Sequence, residues 1–213
     1  MSDRLTRFGR ATLGRIVPLP FRTRIIGAER IPAGGALLAG NHLSYLDPML
    51  LWCMSPRSVH FMAKRELFEK GFTAWLLPRI CAFPVNRGEP DRSAIVTATE
   101  LLRTGELVGV FPEGSRREVG DADGMGEARG GAAFIALRAG VPIVPIGFVG
   151  TDRAMPRGAM FPRFVRVTIY VGEPIDPAGI APDADRKERV AAVTRRIMDE
   201  IGRLCHSTGG GMQ

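Results

Sequence analysis

The chain has little cysteine, few aromatics and no long apolar run, and each shortage narrows its class. Its three cysteines, Cys53, Cys81 and Cys205, are odd in number and widely separated, with no C-x-x-C pair. That pattern supports neither a disulfide framework nor a zinc site, and it fits a reducing cytosol. No apolar stretch approaches the roughly 18 residues of a membrane-spanning helix. The arginine-studded start also lacks the uninterrupted apolar centre of a secretory signal. Aromatics make up only 7% of the 213 residues, yet 45% of the chain is hydrophobic. A chain of this length and composition can build one full globular core, and it falls outside the disordered and collagen-like classes.

What the sequence has in excess is positive charge. The net charge is +7, which raises nucleic acid, anionic membrane and acidic small molecules as partner classes. Most of the surplus is N-terminal: residues 1–30 hold seven arginines against Asp3 and Glu29. In that stretch Leu5, Phe8, Thr12 and Ile16 recur at helical spacing, with Leu13 and Val17 beside them. Residues 1–20 therefore read as a basic amphipathic helix. One use for it is to lie in a membrane interface with its arginines at anionic headgroups. The alternative is a helix packed on the domain by its apolar face.

Beyond residue 20, short apolar runs alternate with helical patterns, which predicts an α/β domain over residues 21–206 and a short tail at 207–213. The expected strands are RTRII, ALLAG, VHFMA, FPVN, LVGVF, PIVPIGFV and VRVTIYV. In the last, Val165, Val167, Ile169 and Val171 alternate with Arg166, Thr168 and Tyr170, the pattern of a strand with one wetter face. A helix is expected after Asp91, which caps it, ending near Gly105. Another runs from about Asp185 to Cys205.

Four blocks carry the chemistry. The first is NHLSYLD, residues 41–47, at the end of an apolar strand. A lone His and Asp near a turn are ordinarily hydrogen-bonding and capping groups. Here Ser44 reads as an N-cap with Asp47 three residues on, and Pro48 falls in the first turn, where it is tolerated. On one continuous helix, positions five apart point roughly 140° away from each other. His42 must then precede the helix, where its ring can fold back on Asp47 in the manner of a base and its orienting carboxylate. The second block is FPVNRG, a short strand ending at Arg87. The third, LVGVFPEGSRR, runs a strand into Glu113, Gly114, Ser115, Arg116 and Arg117. Strand ends in α/β sheets bind ligands, glycine admits close approach, and arginines hold phosphate by forked hydrogen bonds. A solvated charged turn is the plain alternative. The fourth is VPIVPIG, whose prolines point to an edge or irregular strand forming a wall.

Taken in order, N-H-x-x-x-x-D, P-V-x-R, F-P-E-G-[ST]-R and V-P-[IV]-V-P resemble the glycerolipid acyltransferase family, whose best-known members are the 1-acyl-glycerol-3-phosphate acyltransferases. The resemblance spans roughly residues 35–150 and includes MAKREL at 62–67. It implies a mixed sheet flanked by helices. It also implies transfer of a fatty acyl group from acyl-CoA or acyl carrier protein to a lysophospholipid hydroxyl, with 1-acyl-glycerol-3-phosphate as the expected acceptor and phosphatidic acid as product. By the same resemblance His42 is the catalytic base and Asp47 its partner, while Arg87, Glu113, Gly114, Ser115 and Arg116 form the acceptor and phosphate site. The donor is a co-substrate, and no cofactor, metal or nucleic acid is implied, since a thioester already has a good leaving group. The chemistry places the protein in the cytoplasm, peripheral on the inner face of the membrane. Asn86 where the family often has Asp, Cys81 where glycine is common, and Ser115 for threonine are the departures.

Three other readings stay open. One is acylation of glycerol-3-phosphate or another polar lysolipid. Another is a thioesterase or lipase working through an acyl-serine, against which the chain lacks a G-x-S-x-G elbow. The third is a non-catalytic membrane-surface protein resting on the basic N-terminal segment.

Overall fold

The computed structural model describes residues 12, 14, 16–69, 71–86, 91–113, 130–156, 159 and 161–206. Seven strands form one sheet: β1 (Arg24–Ile26), β2 (Ala36–Gly40), β3 (Val59–Lys64), β4 (Ala82–Val85), β5 (Leu107–Val110), β6 (Ile143–Val149) and β7 (Thr168–Val171), in the order β1-β7-β6-β2-β5-β3-β4. The five strands from β6 to β4 run parallel, and β7 pairs antiparallel with β6. Each of the seven apolar runs read from the sequence became a strand. The β2 sequence Ala-Leu-Leu-Ala-Gly is buried at every position, as befits a central strand covered on both faces.

Parallel strands need crossovers, and these supply the two outer layers. On one face lie α1 (Leu46–Met54), the connection containing α2 (Gly71–Leu76), and the segment ending at Phe21. Leu50, Leu51, Trp52, Ile80 and Phe21 pack there against Leu38, Phe61 and Ile146. On the other face lie α3 (Arg92–Arg103), α4 (Gly131–Ala139) and α6 (Arg186–His206). Ala98, Leu102, Ala133, Ile197 and Ile201 cover Leu37, Val108 and Ile143 there. A short α5 (Thr151–Ala154) follows β6. Asp91 caps α3 as expected, accepting from the Ser93 and Ala94 amides, and Gly105 just beyond it takes φ +91°.

Of the edge or irregular strand expected from the fourth block, the edge position is overturned, whereas the break in pairing at Pro145 fits an irregular strand. Strand β6 does not lie at an edge; it sits inside the sheet between β7 and β2. Its Pro145 is tolerated because its carbonyl accepts from Gly172 N at 2.8 Å. In that antiparallel pair the N–H that proline lacks would face the same residue, beyond the β7 ladder, which ends with Val171 opposite Ile146. The missing bond falls at a break in that pairing, which resumes where Ile143 and Ile175 exchange backbone hydrogen bonds of 2.9 and 2.7 Å. Pro84, in β4, obeys the usual rule on a true edge. The expected alternation of β7 holds, with Ile169 and Val171 buried and Thr168 and Tyr170 half-buried.

Of the basic helix expected over 1–20, residues 1–11 lie outside the described residues, whereas Thr12, Gly14 and Ile16 are helical. Val17 packs on the core, while Ile16 and Leu19 remain 59% and 69% exposed. The expected tail at 207–213 also lies outside the described residues.

Gly109 in β5 is required by packing. A Cβ placed there would come within 2.2 Å of the Phe61 ring, and Phe61 is buried. Gly109→Ala should lower the unfolding free energy by about 1–3 kcal/mol, the usual cost of overpacking a core. A denaturant midpoint unchanged from that of the parent chain would show that the ring has room to move.

Candidate active site

The site begins where β2 ends. Its register with β6 runs as far as Gly40 opposite Ile146. One residue on, the Asn41 side chain takes over the role of a strand: its Nδ2 donates to Phe148 O at 3.0 Å, and its Oδ1 accepts from Phe148 N at 2.7 Å. Both groups are buried, so each bond is protected from water. The backbone is thereby free to turn out of the sheet while remaining fixed to it. Gly40 allows this approach, since a Cβ there would lie 2.9 Å from the Phe148 ring.

The turn that follows winds round one carboxylate. Asp47 is fully buried in the first turn of α1. Its Oδ2 accepts from Leu43 N at 2.7 Å and Ser44 N at 2.7 Å, and it faces His42 Nδ1 at 2.9 Å. An oxygen already accepting from two amides requires a donor at the third position, so Nδ1 carries the proton. Nε2 is left with the lone pair. The capping differs slightly from the sequence expectation. Helix α1 begins at Leu46, with Tyr45 in the cap position and no side-chain capping bond. Ser44 still serves the helix end, its Oγ accepting from Leu46 N at 3.2 Å and donating to Met155 O at 2.8 Å. That second bond ties the turn to the connection after α5.

The adjacent parallel strand brings the third block to the same place. In the β2–β5 register Ala39 lies opposite Val110, so His42 and Glu113 each stand three residues past that couple. Phe111, between them, stacks on the His42 ring with centroids 4.1 Å apart and planes 19° from parallel. Phe61 lies nearly parallel to Phe111 at 6.2 Å, and Phe148 tilts against Phe111 at 6.2 Å. Glu113 is buried, 7% exposed. Gly114, Ser115, Arg116 and Arg87 lie outside the described residues, as does Arg117. Asn41 and Phe111 are the two members of the site that sequence reasoning quoted in its motifs without assigning a role. The FPEG block was the available signal for Phe111, but a ring stacked across two strands is not visible in one of them.

Beside Arg87, the ends of β3 and β4 are joined by polar contacts. Arg65 Nε donates to Asn86 Oδ1 at 2.6 Å, and Asn86 N donates to Asp91 Oδ2 at 2.8 Å. The Asn86 amide oxygen thus gives Arg65 an acceptor. The Ser93 hydroxyl, then the Asn86 and Ala94 amides, hold the Asp91 carboxyl well below the usual carboxylate range. His60 is remote from all this, at the start of β3 with Glu106 3.7 Å away. Burial pushes its pKa down, and Glu106 opposes the shift. Among the described residues no group of His, Cys, Asp or Glu is arranged to hold a metal ion. Nor is any described helix long and apolar enough to cross a membrane.

Comparison with known proteins agrees with this arrangement. The Acyltransferase family model matches residues 22–149. The 1-acyl-sn-glycerol-3-phosphate acyltransferase of Bacillus subtilis is 32% identical over 191 residues, covering 89% of this chain and 91% of that protein. The enzyme of the same name from Streptococcus pneumoniae is 33% identical, but the chain spans only 61% of its length. The crystal structure of the 1-acyl-sn-glycerophosphate acyltransferase PlsC from Thermotoga maritima superposes with a TM-score of 0.69 at 25% identity, covering 95% of this chain and 84% of that one. With its buried His–Asp turn at the end of a central parallel strand, the chain belongs to the 1-acylglycerol-3-phosphate acyltransferase family of glycerolipid acyltransferases.

Proposed function

We propose that this protein transfers a fatty acyl group from acyl-CoA or acyl carrier protein to the free hydroxyl of 1-acyl-glycerol-3-phosphate, yielding phosphatidic acid, with His42 as general base. The observation that carries this reading is the bond from His42 Nδ1 to the fully buried Oδ2 of Asp47 at 2.9 Å. It directs the basic Nε2 away from the carboxylate. A neutral imidazole nitrogen held in this orientation is a suitable proton acceptor for a hydroxyl. The acceptor hydroxyl gives its proton to Nε2 as its oxygen bonds to the thioester carbonyl carbon. The tetrahedral intermediate then collapses, the C–S bond breaks, and the imidazolium returns the proton to the leaving thiolate. A thiol of pKa about 8.5 leaves readily. Asp47 balances the charge on the imidazolium in between, as the acid does in other base–orienter pairs.

Glu113, Gly114, Ser115, Arg116 and Arg87 are assigned to the acceptor and its phosphate. The convergence of the β2 and β5 ends supports this, since His42 and Glu113 each stand three residues past the Ala39–Val110 couple. The basic residues of 1–20 are assigned to docking on anionic membrane at the cytoplasmic face. Exposed Ile16 and Leu19 support that assignment, and Val17 shows where the segment becomes part of the domain.

His42→Ala should cut turnover by ~10²- to 10⁴-fold with the melting transition preserved, the range for loss of a positioned base. Near-parental turnover by a folded variant would remove the mechanism. Asn41→Ala should also lower kcat, through loss of the clamp on Phe148, with little change in the donor KM. A rise in KM alone would place Asn41 in binding. In Arg116→Ala and Arg87→Ala the KM for the lysolipid should rise far more than the KM for the acyl donor, with Lys rescuing only in part. If neither variant alters acceptor kinetics, the phosphate is held elsewhere. Removing residues 1–11, short of Val17, should weaken sedimentation with anionic vesicles at low salt and spare turnover of a soluble short-chain acceptor. Unchanged sedimentation would make the segment a packing element.

A further inference from the structure

Helix α2 has an apolar side facing the wrong way for a soluble surface helix. On its inner side Leu76 packs on the core, as do Leu77 and Ile80 in the turn that follows. On its outer side Phe72 is 70% exposed and Trp75 53% exposed. The two rings stack with centroids 5.7 Å apart, and the Arg79 guanidinium lies 4.3 Å over the indole. Positions 72, 75 and 79 are three and four apart, so they form one row along the helix and the turn after it. The α2 sequence Gly-Phe-Thr-Ala-Trp-Leu has no charged residue. Such a row has the composition of a membrane-interface contact, with an aromatic body for the acyl boundary, an indole for the headgroup level and a cation for the phosphates.

We propose that the Phe72–Trp75–Arg79 row is a membrane contact, seated in the interface of an anionic bilayer and separate from the N-terminal segment. The proposal rests on the reading above that the acceptor is a membrane lipid. Charge favours a lipid surface, since between 64 and 79 the chain carries Lys64, Arg65, Lys70 and Arg79 against Glu66 and Glu69. Placement favours it too. The connection bearing α2 leaves β3 at Lys64, at the same end of the parallel strands from which His42 projects. It belongs to the β3–β4 side of the sheet, whereas the N-terminal segment leads into β1 at the opposite edge, with β2 between them. Two contacts on either side of the central strand would hold the His42 turn towards the bilayer, where one alone would leave the domain free to tilt.

The two tryptophans make the test direct, because Trp52 is 1% exposed and Trp75 is not. Tryptophan emission of the full chain should shift to shorter wavelength on phosphatidylglycerol-containing vesicles, and brominated phosphatidylcholine in those vesicles should quench the Trp75 share while sparing Trp52. Phe72→Ser/Trp75→Ser, folded by circular dichroism, should bind the vesicles roughly tenfold or more weakly, given the apolar area withdrawn. Its turnover of a soluble short-chain acceptor should stay unchanged. Phe72→Ala, which keeps the reporter, should lose part of the blue shift. Absence of quenching, or parental vesicle affinity in the double variant, overturns the proposal. So does a dimer that the double variant abolishes without effect on vesicles, which would make the row a self-interface. Loss of turnover only with an acyl carrier protein donor, vesicle binding being intact, would assign it to that acidic partner and likewise overturn it. Failure of the catalytic reading shows instead in His42→Ala kinetics, which the quenching does not measure.

Discussion

One carboxylate oxygen, Oδ2 of Asp47, organises the turn that carries His42. Burying a charge is costly unless it is hydrogen-bonded, and here two backbone amides and an imidazole N–H converge on Oδ2 within 2.9 Å, while the buried Oδ1 has no hydrogen-bond partner among the described residues. Its position in the first turn of α1 adds the favourable end of the helix dipole. The consequence is mutual. The turn supplies the donors that make a buried carboxylate tolerable, and the carboxylate fixes the turn that presents His42. Either half without the other would leave buried polar groups unsatisfied.

The rest of the sheet serves to hold that turn still. Asn41 extends the β2–β6 pairing by one side chain, Ser44 ties the turn to Met155, and Phe111 covers one face of the imidazole. Behind Phe111 stands Phe61, whose ring occupies the space left by Gly109. The series Gly109, Phe61, Phe111, His42 therefore connects a missing Cβ in one strand to the orientation of an imidazole beside another. Close-packed interiors transmit displacements of this kind with little loss.

The order of the sequence blocks acquires a spatial meaning in the same frame. The His–Asp block follows β2, the FPEG block follows β5, the Arg87 block follows β4, and the VPIVPIG block forms most of β6. Since these strands are parallel, the first three blocks emerge at one end of the sheet, the end where open α/β sheets bind ligands. The fourth contributes no reactive group. It supplies the partner strand to which Asn41 is clamped.

The sequence by itself determined the seven strands, the caps and ends of the long helices, and the pairing of His42 with Asp47. These are local properties, set by apolar period, by turn residues and by a spacing of five that only a turn before a helix can close. It also carried the family, because four ordered motifs survive without any knowledge of contacts. Tertiary structure alone decided the strand order, and with it the interior position of β6 despite Pro145. That proline is tolerated because it falls at a break between the β7 ladder, which stops at Val171, and the Ile143–Ile175 bridge, a fact of register that no reading of VPIVPIG contains. The roles of Asn41 and Phe111 were likewise hidden. Their partners Phe148 and His42 lie 107 and 69 positions away in the chain, and contacts between distant segments follow from how strands are ordered in space, not from the pattern within any one of them.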